Sequence, residues 1–248
     1  MMTRRLILPA IIVLLLLAGC VYDNEKDLFP RVVVPDTAIQ GQLAWYSFDS
    51  TLADQLGYQD PLRLWGKLEF GMDYTGVPFG AVVLDGLKDY LGGFLSLSDT
   101  LAVSLWILPM PNYPKAVLLD YGMGRFTAGL DAITSATWPR FRLYYEQDTT
   151  IHYWSQEIDY FFWHHIYMEI GDTLVPPRVY IDGYPAEPAE QLWKMHPLVG
   201  LLYIGRHFNT DLKDTMLFRG YIDDLRIYNQ LLTEEEILNL YWGGGALR

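Results

Sequence analysis

A strand that runs directly into a capped helix, G-Y-I-D-D-L-R-I-Y-N-Q-L-L-T-E-E-E-I-L-N-L-Y from Gly220 to Tyr241, most constrains what this chain can fold into. The segment 221–228 is β-branched, aromatic and aliphatic, the composition of a strand, and Asn229-Gln230 breaks it. Thr233 precedes Glu236 in the spacing of a capping box, with the Thr233 hydroxyl accepting from the Glu236 amide and the Glu236 carboxylate reaching back. Leu232 and Ile237 take the two hydrophobic staple positions, and three acids in the first turn suit the positive end of the helix dipole. Gly243-Gly244-Gly245 then ends the helix.

Everything upstream reads as strands. L-A-V-S-L-W-I-L over 101–108 is a nearly continuous apolar run, expected to be buried on both sides. Leu43–Phe48, Ala81–Leu84, Ala116–Tyr121 and Leu201–Ile204 are further apolar strands. R-F-R-L-Y-Y-E over 140–146 alternates, with Phe141, Leu143 and Tyr145 on one side, and Ile151–Trp154 is its hairpin partner. Phe161–Ile170 is expected as one long strand with Ile166, Met168 and Ile170 on one face. Arg178–Ile181 runs into Asp182-Gly183, a tight hairpin turn. Many short strands with turn signals between them and one late helix predict an all-β, two-sheet antiparallel sandwich. The chain divides into a leader over 1–19, a tether over 20–41, the sandwich over 42–242 and a tail over 243–248.

The leader has its own signature. Arg4-Arg5 precedes an uncharged apolar run, Leu6–Ala18, as in a signal peptide, and the run is short for a membrane span. Its end, Leu17-Ala18-Gly19-Cys20, resembles a bacterial lipobox. That resemblance implies cleavage before Cys20 and lipid on it, which anchors a chain to the outer membrane when several acyl chains share one residue. Cys20 is the only cysteine, so no intrachain disulfide forms. The acidic cluster that follows (Asp23, Glu25, Asp27) resembles a surface-export signal of Bacteroidetes-type lipoproteins and reads equally as a solvated spacer, which leaves the periplasmic and outer sides both open. The whole chain carries a formal charge of -12, and losing residues 1–19, with Arg4 and Arg5 and no acid, takes it to -14. Such a chain repels phosphate, which argues against nucleic-acid binding.

Five segments, in order, resemble the laminin G-like, concanavalin A-like jelly rolls over 42–242. They are Tyr46-Ser47-Phe48-Asp49; Leu84-Asp85-Gly86 with Asp89-Tyr90; Val103-Ser104-Leu105-Trp106-Ile107; Trp163-His164-His165 followed by Val179-Tyr180-Ile181-Asp182-Gly183; and Ile222 to Asn229. The resemblance implies two antiparallel sheets packed face to face, a jelly roll closed by a short C-terminal helix. Relatives often hold a structural Ca²⁺ between the first and closing strands, and Asp49 and Asp223 are the matching positions. Gly57-Tyr58-Gln59-Asp60 departs from the family's Gly/Asn-rich loop.

Chemistry is sparsely signalled. Hydrolases of this superfamily that resemble laminarinases carry E-x-D-x-x-E on one strand, so that two carboxyls face one cleft. Here Glu157-Ile158-Asp159 begins the pattern, but Phe162 stands where the second acid would be, and a phenyl ring moves no proton. His164 and His165 are adjacent on a strand, point to opposite faces and do not chelate one ion together. His152, His196 and His207 form no pattern. Tyr144, Tyr153, Trp154, Trp138 and Trp193 lie outside the clearest core pattern and are candidates to stack on sugar faces, with Tyr144 and Trp154 on neighbouring strands. The expectation is a non-catalytic, lipid-anchored envelope module binding a glycan or a protein partner. A structural envelope component and a divergent glycoside hydrolase are the alternatives.

Overall fold

The computed structural model describes residues 39–97, 99–112, 115–131, 139–147, 150–174, 176–187, 192, 194, 196, 198–209 and 216–243, with backbone alone at 145–147, 150–154 and 198–199. Two antiparallel sheets carry the fold. Sheet A contains β1 (Gln42–Tyr46), β3 (Glu69–Gly71), β4 (Ala81–Asp85), β6 (Leu101–Pro109), β11 (His164–Ile170), β12 (Arg178–Ile181), β13 (Tyr184–Pro185) and β15 (Arg219–Tyr228). Sheet B contains β2 (Arg63–Trp65), β5 (Tyr90–Leu97), β7 (Lys115–Tyr121), β8 (Phe126–Asp131), β9 (Arg140–Gln147), β10 (Thr150–Glu157) and β14 (Leu198–Ile204). The order is β13-β12-β11-β6-β15-β4-β3 in sheet A, with β1 also on β15, and β10-β9-β8-β7-β14-β5-β2 in sheet B. This is the expected jelly-roll sandwich with one C-terminal helix, α1 (Glu234–Gly243).

The core lies between the sheets and follows period-two alternation. Val103, Leu105, Ile107, Ile166, Met168, Ile170, Ile222 and Ile227 face inward from sheet A, meeting Leu118, Phe126, Ala128, Leu130, Phe141, Leu143 and Ile204 from sheet B. The opposite face of sheet A is covered too. Ala102, Tyr167, Tyr180 and Tyr228 pack under Leu232, Ile237 and Leu240 of the closing segment. Trp106 stacks on Tyr74 at 4.1 Å and on Tyr241 at 5.6 Å. Hence β6 is buried on both sides, as its apolar run predicts.

The helix starts where the capping box puts it. Thr233 N and Oγ1 donate to Glu236 Oε2 at 2.7 and 2.9 Å, and Glu236 N donates to Thr233 Oγ1 at 3.2 Å. Leu232 and Ile237 are both buried, as the staple requires. A buried carboxylate ties this segment down. Glu169 accepts from Tyr167 Oη, from Arg178 Nε and from Leu232 N, and Arg178 Nη2 donates to the Leu232 carbonyl at 2.6 Å.

Some boundaries differ from expectation. β11 begins at His164, not Phe161, because Phe161 takes a positive φ of 68° while its N–H donates to the Pro109 carbonyl. The fold also reaches back past Gln42: Ile39 packs beneath the helix, and the Gly41 carbonyl accepts from Asn229 N. Strands β2, β3 and β8 were not anticipated. The turn at Asp182-Gly183 is as read, with φ of 54° and 79°, and the ring of Tyr241 comes so close to Gly183 that a Cβ there would sit 2.7 Å from it.

Candidate functional site

Among the described residues the closing helix covers the outer face of sheet A, while side chains such as Phe94 and Leu201 are exposed on that of sheet B. Outward positions there follow from register. Asp120 opposes Thr127, Thr127 opposes Tyr144, and Tyr144 opposes Tyr153. In the next row Gly129 opposes Arg142. Gly129 has to be glycine, since a Cβ would lie 2.3 Å from the Ala116 carbonyl where β7 bulges. A groove of about 320 Å³ opens over these rows, within the size range of small-ligand clefts. Its lining includes Thr127, Arg142, Tyr144, His207, Phe208 and Met123.

Asp120 organises the floor. It is fully buried, with Oδ1 accepting from Gly124 N at 3.0 Å and Oδ2 from Phe208 N at 3.4 Å, and His207 Nε2 lies 3.5 Å from Oδ2. Burial pushes its carboxyl up to about 6, against the pull of these amides and Thr127. Burial first, then the charges of Arg142 and Arg206, hold His207 below its ordinary value. Arg142 Nη1 stands 3.6 Å from Asp131. Across the same sheet face, Phe94 of β5 and Leu201 of β14 are exposed and directly opposed.

Of the five rings singled out above, Tyr144 is half-buried in this groove. Tyr153 and Trp154 are described by backbone alone in β10, where the register sets Tyr153 opposite Tyr144 and Trp154 opposite the core residue Leu143. Trp138, Trp193 and Cys20 lie outside the described residues. Sequence reasoning missed Asp120, Thr127, Arg142 and His207. The signal for Arg142 was available: it lies on the polar side of the alternating run that puts Phe141 and Leu143 inside. Asp120 and His207 gave none, because only folding brings them together.

The acids near Glu157 line a shallow cleft of about 430 Å³ with Asp159, His164 and Asp182. Asp182 is already engaged there: Oδ2 binds His164 Nδ1 and Oδ1 accepts from His165 N, both at 2.8 Å. Burial lowers the His164 pKa, but the Asp182 bond and charge and the Asp159 carbonyl outweigh it, and the net shift is upward. Phe162, in place of a second acid, points to solvent.

The possible calcium pair is uneven. Asp49 is exposed in the turn after β1, whereas Asp223 is sealed within β15, its Oδ1 accepting from Asp224 N at 2.7 Å. Among the described residues no three His, Cys, Asp or Glu side chains gather as metal ligands. Calcium takes six to eight oxygens, from carbonyls and water as well as carboxylates. The unusual loop after β1 is held differently: Asp54 accepts from the amides of Trp45, Leu56, Tyr58 and Gln59. No described helix is long and apolar enough to cross a membrane.

The two antiparallel sheets packed face to face make a jelly-roll sandwich. The chain belongs to the concanavalin A-like lectin/glucanases superfamily, whose family model matches residues 88–238. No curated protein matches it. Among solved structures, domain 4 of AbnA, a GH43 extracellular arabinanase from Geobacillus stearothermophilus, in complex with arabinotriose, is similar at a TM-score of 0.64 and 20% identity, covering 81% of this chain and 98% of that one. The binding domain of botulinum neurotoxin serotype D/C is similar at 0.61 and 13% identity, over 81% of this chain and 51% of that one. A Trypanosoma rangeli sialidase mutant displaying trans-sialidase activity matches at 0.58 and 15% identity, over 83% of this chain and 33% of that one. This chain therefore spans about half of the toxin domain and a third of the sialidase. The fold is shared by enzymes and by binding domains.

Proposed function

We propose that this protein is a non-catalytic, lipid-anchored binding module of the bacterial cell envelope that holds a glycan in the groove on the outer face of sheet B. The observation that carries the reading is the groove itself. It offers a ring for the apolar C–H face of a sugar, Tyr144, beside donors and acceptors for hydroxyls, Arg142, Thr127 and His207. The similar arabinanase domain, a structure in complex with arabinotriose, supports the glycan class in general. The lipobox at Cys20 supports the anchor and the outer-membrane address.

A glycan array on the protein tests it. Binding to at least one glycan class is expected, and Tyr144→Ala is expected to weaken that binding about tenfold, the size of one lost ring contact, with an unchanged melting temperature. Silence across the array would favour a protein partner or an assembly role. A hydrolase reading would need the cleft at Glu157 and Asp159. If it held, Glu157→Gln would abolish release of reducing sugar from whichever glycan binds, whereas no release by the unaltered protein is expected.

A structural calcium at Asp49 and Asp223 is likewise open to a direct test. If the pair holds one, EDTA lowers the melting temperature and added Ca²⁺ restores it; an unchanged melting curve removes the site.

A further inference from the structure

We infer that the groove selects sugars bearing a carboxylate, read by Arg142; this rests on the glycan reading above and narrows it. Arg142 Nε is buried and has no hydrogen-bond partner among the described residues. A buried donor left unmade is costly, and no described residue supplies Arg142 Nε with an acceptor. Its contact with Asp131, at 3.6 Å through Nη1, is an ion pair too long for a good hydrogen bond and leaves the Nε side unengaged. The cross-strand neighbour Gly129 puts no side chain beside Arg142, so the approach from β8 is clear.

Cations gather beside the groove of this acidic chain. The chain is strongly acidic, yet the charges of Arg142 and Arg206 both reach His207. Asp120 is buried beneath the groove, its two oxygens already accepting from Gly124 N and Phe208 N. Among the described residues, Asp131 is the acid that pairs with Arg142. One step along the strand, Arg140 repeats the arrangement: its Nε is buried without a partner too, and its cross-strand neighbours are Asp131 and Glu157. Residues two apart on a strand share a face about 7 Å apart, a spacing that accommodates an oligosaccharide with more than one acidic residue. A carboxylate matches a guanidinium fork with two parallel, charge-assisted bonds, roughly twice as strong as bonds to neutral hydroxyls.

Calorimetric titration of the full-length protein with trigalacturonate and its neutral twin galactotriose, and with sialyllactose and lactose, tests this and separates uronate from sialate as the source of the carboxylate. At least one acidic sugar is expected to bind about tenfold or more tightly than its twin. Arg142→Gln should erase the preference and Arg142→Lys should keep only part of it, because a point charge replaces the fork. Melting curves of both variants establish that they fold. Equal binding of acid and twin, or a preference that survives Arg142→Gln, overturns the inference and leaves the glycan reading standing; no binding of any sugar on a broad panel removes both.

Discussion

Replacing Glu169 by alanine is expected to destabilise the protein by about 2–3 kcal/mol, because a buried hydroxyl and a buried amide lose a charged acceptor. Glu169 is almost fully buried, and its two oxygens hold together three elements that are far apart in sequence: Tyr167 on its own strand, Arg178 on β12 and the Leu232 amide at the entrance to α1. Without the carboxylate, the Tyr167 hydroxyl keeps only its bond from Leu232 N, at 3.2 Å, and that amide is left with one acceptor in place of two. Arg178 loses less, since its side chain is 41% exposed and water replaces its partner. The damage should therefore centre on the helix. Chemical denaturation would read the loss, and hydrogen exchange should show amides 234–243 losing protection before those of β6. A loss under about 1 kcal/mol, or uniform loss of protection, would show that the network does not hold the helix.

The second large effect is a pair of opposed pH dependences. His165 is fully buried in β11, with Nε2 2.9 Å from Ser104 Oγ and its ring against Trp106 and Tyr241. Burial lowers its pKa to about 4, with Asp224 and Asp182 pulling it up and Arg226 pushing it down. The unfolded chain takes up this proton near 6.5 and the folded chain does not. The stability tied to neutral His165 is therefore complete above about 6.5 and drains away as pH falls towards 4, reaching about 3 kcal/mol. Asp120 works in the other direction. Its folded pKa lies above its unfolded value, so the folded state carries a penalty above about 6, and that penalty is relieved as pH falls towards 3.8. In the unaltered protein the two largely cancel. Asp120→Asn should therefore lose about 3 kcal/mol between pH 7 and pH 4, while His165→Gln should gain stability over the same interval. Urea midpoints at several pH values decide it: parallel profiles for the two variants would refute both assignments.

Local rules explain which parts of the fold were legible. The helix cap needed only Thr233, Glu236 and their staple neighbours, all within one turn, so its geometry could be read off the chain. The burial of β6 followed from an unbroken apolar run. Strand β8, F-T-A-G-L-D, gave no such signal, because Thr127 and Gly129 dilute its alternation, and Gly129 is there to let the β7 backbone come close. Phe161 looked like strand by composition. A long-range bond to Pro109 decided otherwise. The groove was harder still, since it joins β7, β8 and β9 to residues beyond β14. Of its lining, only Tyr144 had been singled out in advance, on grounds of amino-acid type.

Strand β15 lies inside sheet A, bonded to β6, β4 and β1, yet it comes last in sequence among the described strands. A polypeptide ending before Arg219 would leave those three strands without their common neighbour. Such late, long-range closure makes for slow folding from an exposed, sticky precursor. Truncations before Arg219 should therefore yield insoluble material, not smaller folded domains.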